Sequence, residues 1–312
     1  EIKKYVDKLV IDRLGNLIAI KKGKGPRVMI AAHMDEIGLM VKNIEKDAKV
    51  RMSAIGGIDE IILLNEKVEI VTRKTRVKGI ITTEEISCSK LVSKIPKMED
   101  LFIDTGLTKN ELMDKGVHIG SFISLSKNAE ILGNEKLISG KALDDRIGCF
   151  ILIELIKKIK KIKNEAVFVF TVQEEVGLYG ARTSTYFVDP SWAIAVDVIE
   201  SDDRCASPTK MLGKGPTLTI KDAEMLSSPH IDDKILEVAR KKKINLQPDV
   251  SDSGTTDALS ISLSKGGVPT AVIGVAVRGL HSPISLAHLN DIENAIKLIY
   301  EVLNDPPTMD IE

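Results

Sequence analysis

The sequence predicts an α/β protein in which a three-layer αβα domain carries an inserted small β-rich barrel or sandwich. Three observations support this. Short runs that are apolar throughout recur along the chain, each giving way to polar residues; amphipathic helix patterns lie between them; and one internal stretch switches to short alternating runs broken by glycine and asparagine. Runs apolar on both faces suit strands covered by helices on both sides. Alternation of such strands with helices favours a largely parallel sheet.

The apolar run VMIAA (28–32) ends at His33, and NEAVFVFTVQEE (164–175), SWAIAVDV (191–198) and VPTAVIGVAVRGLH (268–281) repeat the design. In DDRIGCFILIELIKKIKKIK (144–163) apolar residues recur at 147, 150, 151, 155, 159 and 162 with lysines opposite. This reads as a helix capped by Asp144 or Asp145. Two more helices are expected at 231–243 and 289–303. Between Lys42 and Glu130, runs such as KVRMSAI, EKVEIVT and RVKGII are punctuated at Gly56, Gly57, Gly79, Gly106, Gly116 and Gly120. That pattern marks 42–130 as the β-rich insert, with 1–41 and 131–312 forming the α/β domain.

Forty-four basic against 45 acidic residues leave a net charge of −1, so no overall field draws the chain to nucleic acid or to an anionic membrane. The lysine runs IKKIKKIK and RKKK fall on helix patterns and read as solvated faces. No apolar run reaches the roughly 18 residues needed to span a bilayer, and EIKKYVDKLV lacks a signal-peptide core. Cys88, Cys149 and Cys205 are odd in number and form no CxxC spacing, which suits reduced thiols and a cytoplasmic location.

Ligands of open α/β sheets bind at the carboxyl ends of strands, and there the sequence places His33, Asp35, Glu174, Glu175, Asp197 and His281. Asp144 and Asp145 open the long helix. Histidines mixed with carboxylates suit zinc, cobalt or manganese better than calcium. The number of carboxylates points to two ions, which need one bridging carboxylate to sit about 3.5–4 Å apart. Each residue alone has a plainer reading: a histidine hydrogen-bonded at a strand end, an aspartate capping a helix, two glutamates in solvent. Asp197, inside apolar AIAVDV, is harder to dismiss, because an unpaired buried carboxylate is costly. Asp257 either caps the helix ALSISLS or points into the site. His118, His230 and His288 receive no ligand role.

In order along the chain, AAHMDEIG, KALDDRIG, TVQEEVGLYGAR, AVDV, SGTTDA and VRGLHSP resemble the TET-type aminopeptidases, the forty-second family of metallopeptidases, often labelled endoglucanases. LGKGPTLTIKD and DLFIDTG extend the resemblance over nearly the whole chain. It implies a zinc-peptidase-like catalytic domain, an inserted domain used for self-association into a tetrahedral dodecamer, and peptide substrates cut at the N-terminal bond. It also implies two divalent ions per subunit, zinc or cobalt, with manganese also admissible. Carried over by position, His33 and Asp197 hold one ion, Glu175 and His281 the other, and Asp144 bridges them. Glu174 is then the general base, Asp35 hydrogen-bonds the far nitrogen of His33 to fix its tautomer, Asp145 supports the bridge, and Asp257 lies near the substrate. The chain departs from the family pattern at Gly279, where a tyrosine is usual, at Ser285, where a glutamate is usual, and over DVIESDDRCASPTK after Asp197. Its N-terminal helix also reads as starting partway through at Glu1.

Three rival functions remain. A glycoside hydrolase needs two carboxylates flanking the bond about 5–9.5 Å apart, whereas adjacent residues on an extended chain face opposite ways. Aromatic residues make up only 4% of the chain, too few to promise sugar platforms. A deacylase or carboxypeptidase-like enzyme could use the same two ions, since the ligands specify water activation and not the substrate. A silent metal-binding assembly protein would need the ligands but not Glu174.

Overall fold

The structure, a computed structural model, describes residues 1–91, 94–125, 128–133 and 135–308. After a 3-10 turn at Ile2–Tyr5, β1 (Lys8–Ile11), β2 (Leu17–Lys21) and β3 (Gly25–His33) enter the main sheet. The chain then builds a second unit from β4 (Gly38–Ile44), β5 (Val50–Ile55), β6 (Lys67–Val71), β7 (Arg76–Thr83), α1 (Glu84–Ser87), β8 (Leu101–Asp104), α2 (Lys109–Asp114) and β9 (Phe122–Leu125). It returns through β10 (Glu130–Leu132), β11 (Leu137–Gly140), α3 (Leu143–Lys158), β12 (Asn164–Thr171), α4 (Tyr179–Val188) and β13 (Trp192–Glu200). It ends with β14 (Thr217–Lys221), α5 (Pro229–Lys242), β15 (Gln247–Val250), α6 (Asp257–Ser262), β16 (Thr270–Arg278), β17 (Ser285–His288) and α7 (Leu289–Asn304).

The main sheet runs β1-β2-β12-β3-β13-β16-β17-β11-β10, with β14 and β15 branching from β16. Its centre, β12, β3, β13 and β16, is parallel, as the fully apolar runs predict. The register sets the chemistry at one edge. Thr171 pairs with His33 and Ala195 with Ala31, so Asp197, two residues past Ala195, comes level with His33.

The sheet's two faces bury separate cores. Ile151, Leu155, Ile235, Leu298 and Val302 bring α3, α5 and α7 onto one face. Ala181, Val188, Ala258 and Ile261 bring α4 and α6 onto the other. Trp192, read from sequence as opening a core strand, is fully buried as the first residue of β13.

The insert is a closed antiparallel barrel, β4-β5-β8-β7-β6-β9. It encloses its own core around Leu39, Ile70, Ile81, Leu101 and Ile103. Its first strand begins at Gly38, ahead of the expected Lys42, and Leu39 and Val41 already face that core.

Helices α3 and α4 differ from expectation. Helix α3 stops at Lys158 rather than 163: Ile159 turns extended and sinks into the core, and the Lys163 carbonyl accepts the N–H groups of Lys24 and Gly25. Helix α4 went unread because its buried face is Gly180, Ala181, Ser184, Thr185 and Val188, which shows almost no apolar periodicity. Among the described residues, no helix is long and apolar enough to cross a membrane.

Phe168 is fully buried in β12. Phe168→Ala is expected to cost about 3–5 kcal/mol through lost transfer energy and the cavity left behind. Urea titration should show this as a lower midpoint at an unchanged slope.

Candidate metal centre

At the carboxyl edge of the sheet, His33 ends β3 and Asp197 lies within β13, both buried. Around them the loops after β12 and β16 and the start of α3 bring Glu174, Glu175, His281 and Asp144. His33 Nε2 lies 2.9 Å from Asp144 Oδ1, 3.8 Å from Asp197 Oδ1 and 4.0 Å from Glu174 Oε2. His281 Nε2 lies 3.4 Å from Asp144 Oδ2 and 3.8 Å from Glu175 Oε2. Asp144 therefore turns one oxygen to each histidine. Among the described residues, two groups have ligand atoms within 4.8 Å of one another: His33 with Asp145 and Asp197, and His33 with Asp144 and Glu175. Sequence reasoning gave Asp145 only a supporting role; its side chain stands beside His33 and Asp197.

Local backbone features explain these positions. Asp144 and Asp145 have non-helical dihedrals, and Asp145 Oδ1 accepts the Gly148 N–H at 2.8 Å, serving the body of α3 as a cap does. The Asp35 carboxylate accepts the N–H groups of Glu174 at 3.1 Å and Glu175 at 3.2 Å. Because it is engaged there, the nearest Asp35 atom to His33 Nδ1 is the backbone carbonyl, at 3.2 Å, with a carboxylate oxygen at 3.7 Å.

Asp257 does not cap α6. Thr256 does, accepting the Ala258 N–H, while Asp257 is buried and accepts the Thr171 hydroxyl at 2.5 Å. His118, His230 and His288 bond elsewhere and do not line the cavity.

Sequence reasoning missed Glu200, whose carboxylate accepts the N–H groups of Gly279 at 3.3 Å and Leu280 at 2.7 Å and so fixes the loop carrying His281. Two of the family departures, Gly279 and Ser285, meet where that loop enters β17. Gly279 has φ +72°, where a Cβ would lie 3.0 Å from Ser282 Oγ, and its carbonyl accepts the Ser285 hydroxyl at 2.7 Å. Left-handed backbone of this kind favours glycine over a tyrosine. The barrel also reaches the site: a Cβ on Gly56 would lie 2.7 Å from Glu175 Oε2, so no side chain fits there without moving the glutamate.

The family model for M42 glutamyl aminopeptidase matches residues 15–298. The chain belongs to this family. It is similar to the lysyl aminopeptidase of Pyrococcus furiosus, 34% identical over 321 residues that cover 99% of this chain and 90% of that protein. Among solved structures, the TET aminopeptidase of a marine sediment Thaumarchaeota archaeon superposes with a TM-score of 0.94 at 34% identity, covering 98% of this chain and 89% of that one. The Pyrococcus horikoshii TET1 peptidase, described as assembling into a tetrahedron or a large octahedral shell, gives 0.86 at 34% identity over 97% and 91% of the two chains. The protein is thus a peptide hydrolase.

In this M42 peptidase, burial and the neighbouring Asp197 push Glu174 up to about 10, and burial and Asp144 push Glu175 up to about 7. Burial raises Asp257 to about 6 and lifts Asp145 and Asp197 well above the carboxylate range. Against its own burial, Asp144 is held down to about 2 by His281 and His33. Burial likewise opposes charge on His33, but Asp144 and Asp35 raise its pKa well above the ordinary value.

Among the described residues, His33 and His281 are the cationic groups within 4 Å of Asp144, Glu174, Glu175 and Asp197. Glu175 Oε1 and Asp145 Oδ2 are buried acceptors without partners. Such crowded acceptors fit divalent cations, which would reverse the carboxylate shifts. Cys149 is not part of the donor set, since it gives its S–H to the His33 carbonyl and its thiol is pushed up to about 12 by burial and Asp145.

Glu175 and Asp257 keep their protons in the folded protein up to about 7 and about 6, whereas their ordinary values are 4.5 and 3.8. Between those values the folded state binds more protons than the unfolded chain, so stability falls as pH rises, and the raised His33 acts in the same direction. Chelated protein should lose thermal stability from about pH 5 to about pH 8, and a saturating divalent cation should flatten that slope. Scanning calorimetry checks this; a rising Tm in the chelated sample would contradict it.

Proposed function

We propose that this peptidase hydrolyses the N-terminal bond of peptides, using two divalent ions and Glu174 as general base. The observation that carries the two-ion reading is Asp144, whose oxygens face His33 and His281 separately at 2.9 and 3.4 Å. His33 and Asp197 would hold one ion, Glu175 and His281 the other, with Asp144 shared and Asp145 beside the first pair. Zinc or cobalt suits this donor set, and manganese is admissible. When bound, such ions lower the pKa of water toward neutrality and polarise a carbonyl.

The chain's own groups do the rest. Glu174, on the His33 side, takes the proton of the attacking water and hands it to the departing amine. The Asp35 hydrogen bonds to the Glu174 and Glu175 N–H groups keep the base and its neighbour in separate places. Leu178, Val198 and Leu280 line the same cavity and shield the reacting carbonyl from bulk water.

We further propose that residues 42–130 act as the oligomerisation domain of a tetrahedral dodecamer. Similarity to the P. horikoshii peptidase supports this, as do the large apolar side chains Ile61, Ile80, Ile119 and Phe122 exposed on the barrel unit. The free Cys88, Cys149 and Cys205 accord with a cytoplasmic enzyme.

Mass spectrometry of gently purified protein should count two ions per chain. Glu174→Gln should keep both ions while cutting arylamide hydrolysis about 10²–10⁴-fold; retained activity would remove Glu174 as the base. Paired Ile80→Lys and Phe122→Lys substitutions should lower the assembly mass in sedimentation, and an unchanged profile would count against the barrel as the interface.

A further inference from the structure

We infer that the far lobe of the active-site cavity recognises a cationic side chain, so that this peptidase favours peptides beginning with lysine or arginine. The inference rests on the aminopeptidase reading above and adds the substrate class.

One cavity of about 620 Å³ runs from the cluster of His33, Asp144 and Asp197 to a lobe walled by β14, β15 and the loop at 251–256. Its two ends differ in chemistry. Next to the cluster it is lined by Leu178, Val198, Ile199 and Leu280; the far lobe is lined by Thr219, Asp222, Asp249 and Thr255, with Lys210. An apolar neck leading to a polar end matches a side chain with a methylene stem and a charged tip.

The far lobe is buried and lacks partners. Thr219 and Asp249 are each 2% exposed and Asp222 4%. Among the described residues, Asp222 Oδ2, Asp249 Oδ2, Thr219 Oγ1 and Thr255 Oγ1 have no hydrogen-bond partner. Strand register explains how they come together: Thr219 pairs with Asp249, and a bulge before Lys221 moves the alternation by one residue. That shift leaves Asp222 on the cavity side, while Lys221 reaches the Ser251 carbonyl and Asp252.

Charge decides the class of ligand. Lys210 Nζ is paired with Asp249 Oδ1 at 2.9 Å, so that pair is neutral. Asp222 spends Oδ1 on the N–H groups of Glu224 and Met225, and among the described residues no ion pair offsets its charge. A buried carboxylate oxygen of this kind calls for a donor or a cation. An acidic side chain would instead meet Asp222 and Asp249 with Lys210 already engaged. Thr217 of β14 is level with Gly274 and hence with Asp197, and β14 runs antiparallel from there, so Asp222 lies two strands across and past the far end of β14 from Asp197, a reach that suits a long side chain over a short one.

The test is calorimetric binding of free L-lysine, L-norleucine and L-glutamate to the intact, cobalt-replenished protein, because product amino acids bind without turnover. Lysine should bind about tenfold or more tightly than norleucine, which shares its four-carbon stem and lacks the ammonium, and glutamate should bind most weakly. Asp222→Asn should bring lysine down to the norleucine level and leave norleucine unchanged; Asp249→Asn serves as a second variant. Norleucine or glutamate binding as tightly as lysine, or an Asp222→Asn loss shared equally by lysine and norleucine, would overturn the pocket. Lysyl-, leucyl- and glutamyl-arylamides run in parallel separate the two readings. Arylamine release without lysine preference overturns the pocket but keeps the aminopeptidase. Lysine-selective binding without release from any substrate keeps the pocket and overturns the aminopeptidase.

Discussion

Asp35 gives both carboxylate oxygens to backbone, one to the N–H of Glu174 at 3.1 Å and one to that of Glu175 at 3.2 Å, and the geometry of the site depends on this clamp. Strands β3 and β12 are parallel neighbours in register at His33 and Thr171, so the chain overshoots the sheet at the same level on both. The Met34 N–H continues the pairing to the Thr171 carbonyl, and Asp35 then ties the two exits together. Hydrogen bonds to an ionised acceptor are stronger than neutral ones. With the backbone fixed, consecutive side chains diverge, Glu174 toward His33 and Glu175 toward His281. Two adjacent glutamates at a strand end thereby serve two separate positions.

The point at which the barrel interrupts the sheet follows from the same edge. The barrel opens at Gly38, just after Asp35, and ends at Leu125, from which β10 and β11 lead back through the main sheet to Asp144. Lys141 joins the two ends: its ammonium donates to Glu36 at 2.9 Å on the entry side and to Ser124 of β9 at 2.8 Å on the barrel side. Gly56, at the end of β5, closes over Glu175. The barrel thus also walls the site, which ties barrel position to the position of Glu175 through backbone packing.

Much of this could be read in the sequence, for physical reasons. Parallel strands buried on both faces leave uninterrupted apolar runs, and their polar ends mark the ligand edge, so His33, Glu174, Glu175 and Asp197 were visible as a set. The closed barrel was visible through alternation and glycine spacing. Helix α4 was hidden because small polar residues form its buried face. Asp257 stays open between a cap and a site position in the sequence, because a carboxylate ahead of an apolar run signals a cap, and only the tertiary contact with Thr171 decides against it. Asp145 was undervalued because adjacency in sequence gives no hint that non-helical dihedrals turn its side chain toward His33 and Asp197. Asp222 carried the same signal as Glu174, a carboxylate just past a strand end. Its strand was short enough to escape notice, and the bulge that turns it inward leaves no mark in composition.

The stretch that departs most from the family pattern, DVIESDDRCASPTK, borders the far lobe, and its own hydrogen bonds explain how it keeps its shape. Asp202 accepts the N–H groups of Thr209 at 2.8 Å and Lys210 at 2.7 Å, closing the loop on itself. Asp203 takes both Arg278 donors in a two-pronged contact at 2.7 and 2.6 Å, fastening the loop to β16. The loop's last residue, Lys210, then reaches Asp249. The ligand set rests on the sheet edge, where Asp144 and Glu175 face the histidines and Asp35 accepts the backbone N–H donors of Glu174 and Glu175. The far lobe rests on a loop that supplies its own anchors and can change without disturbing those donors.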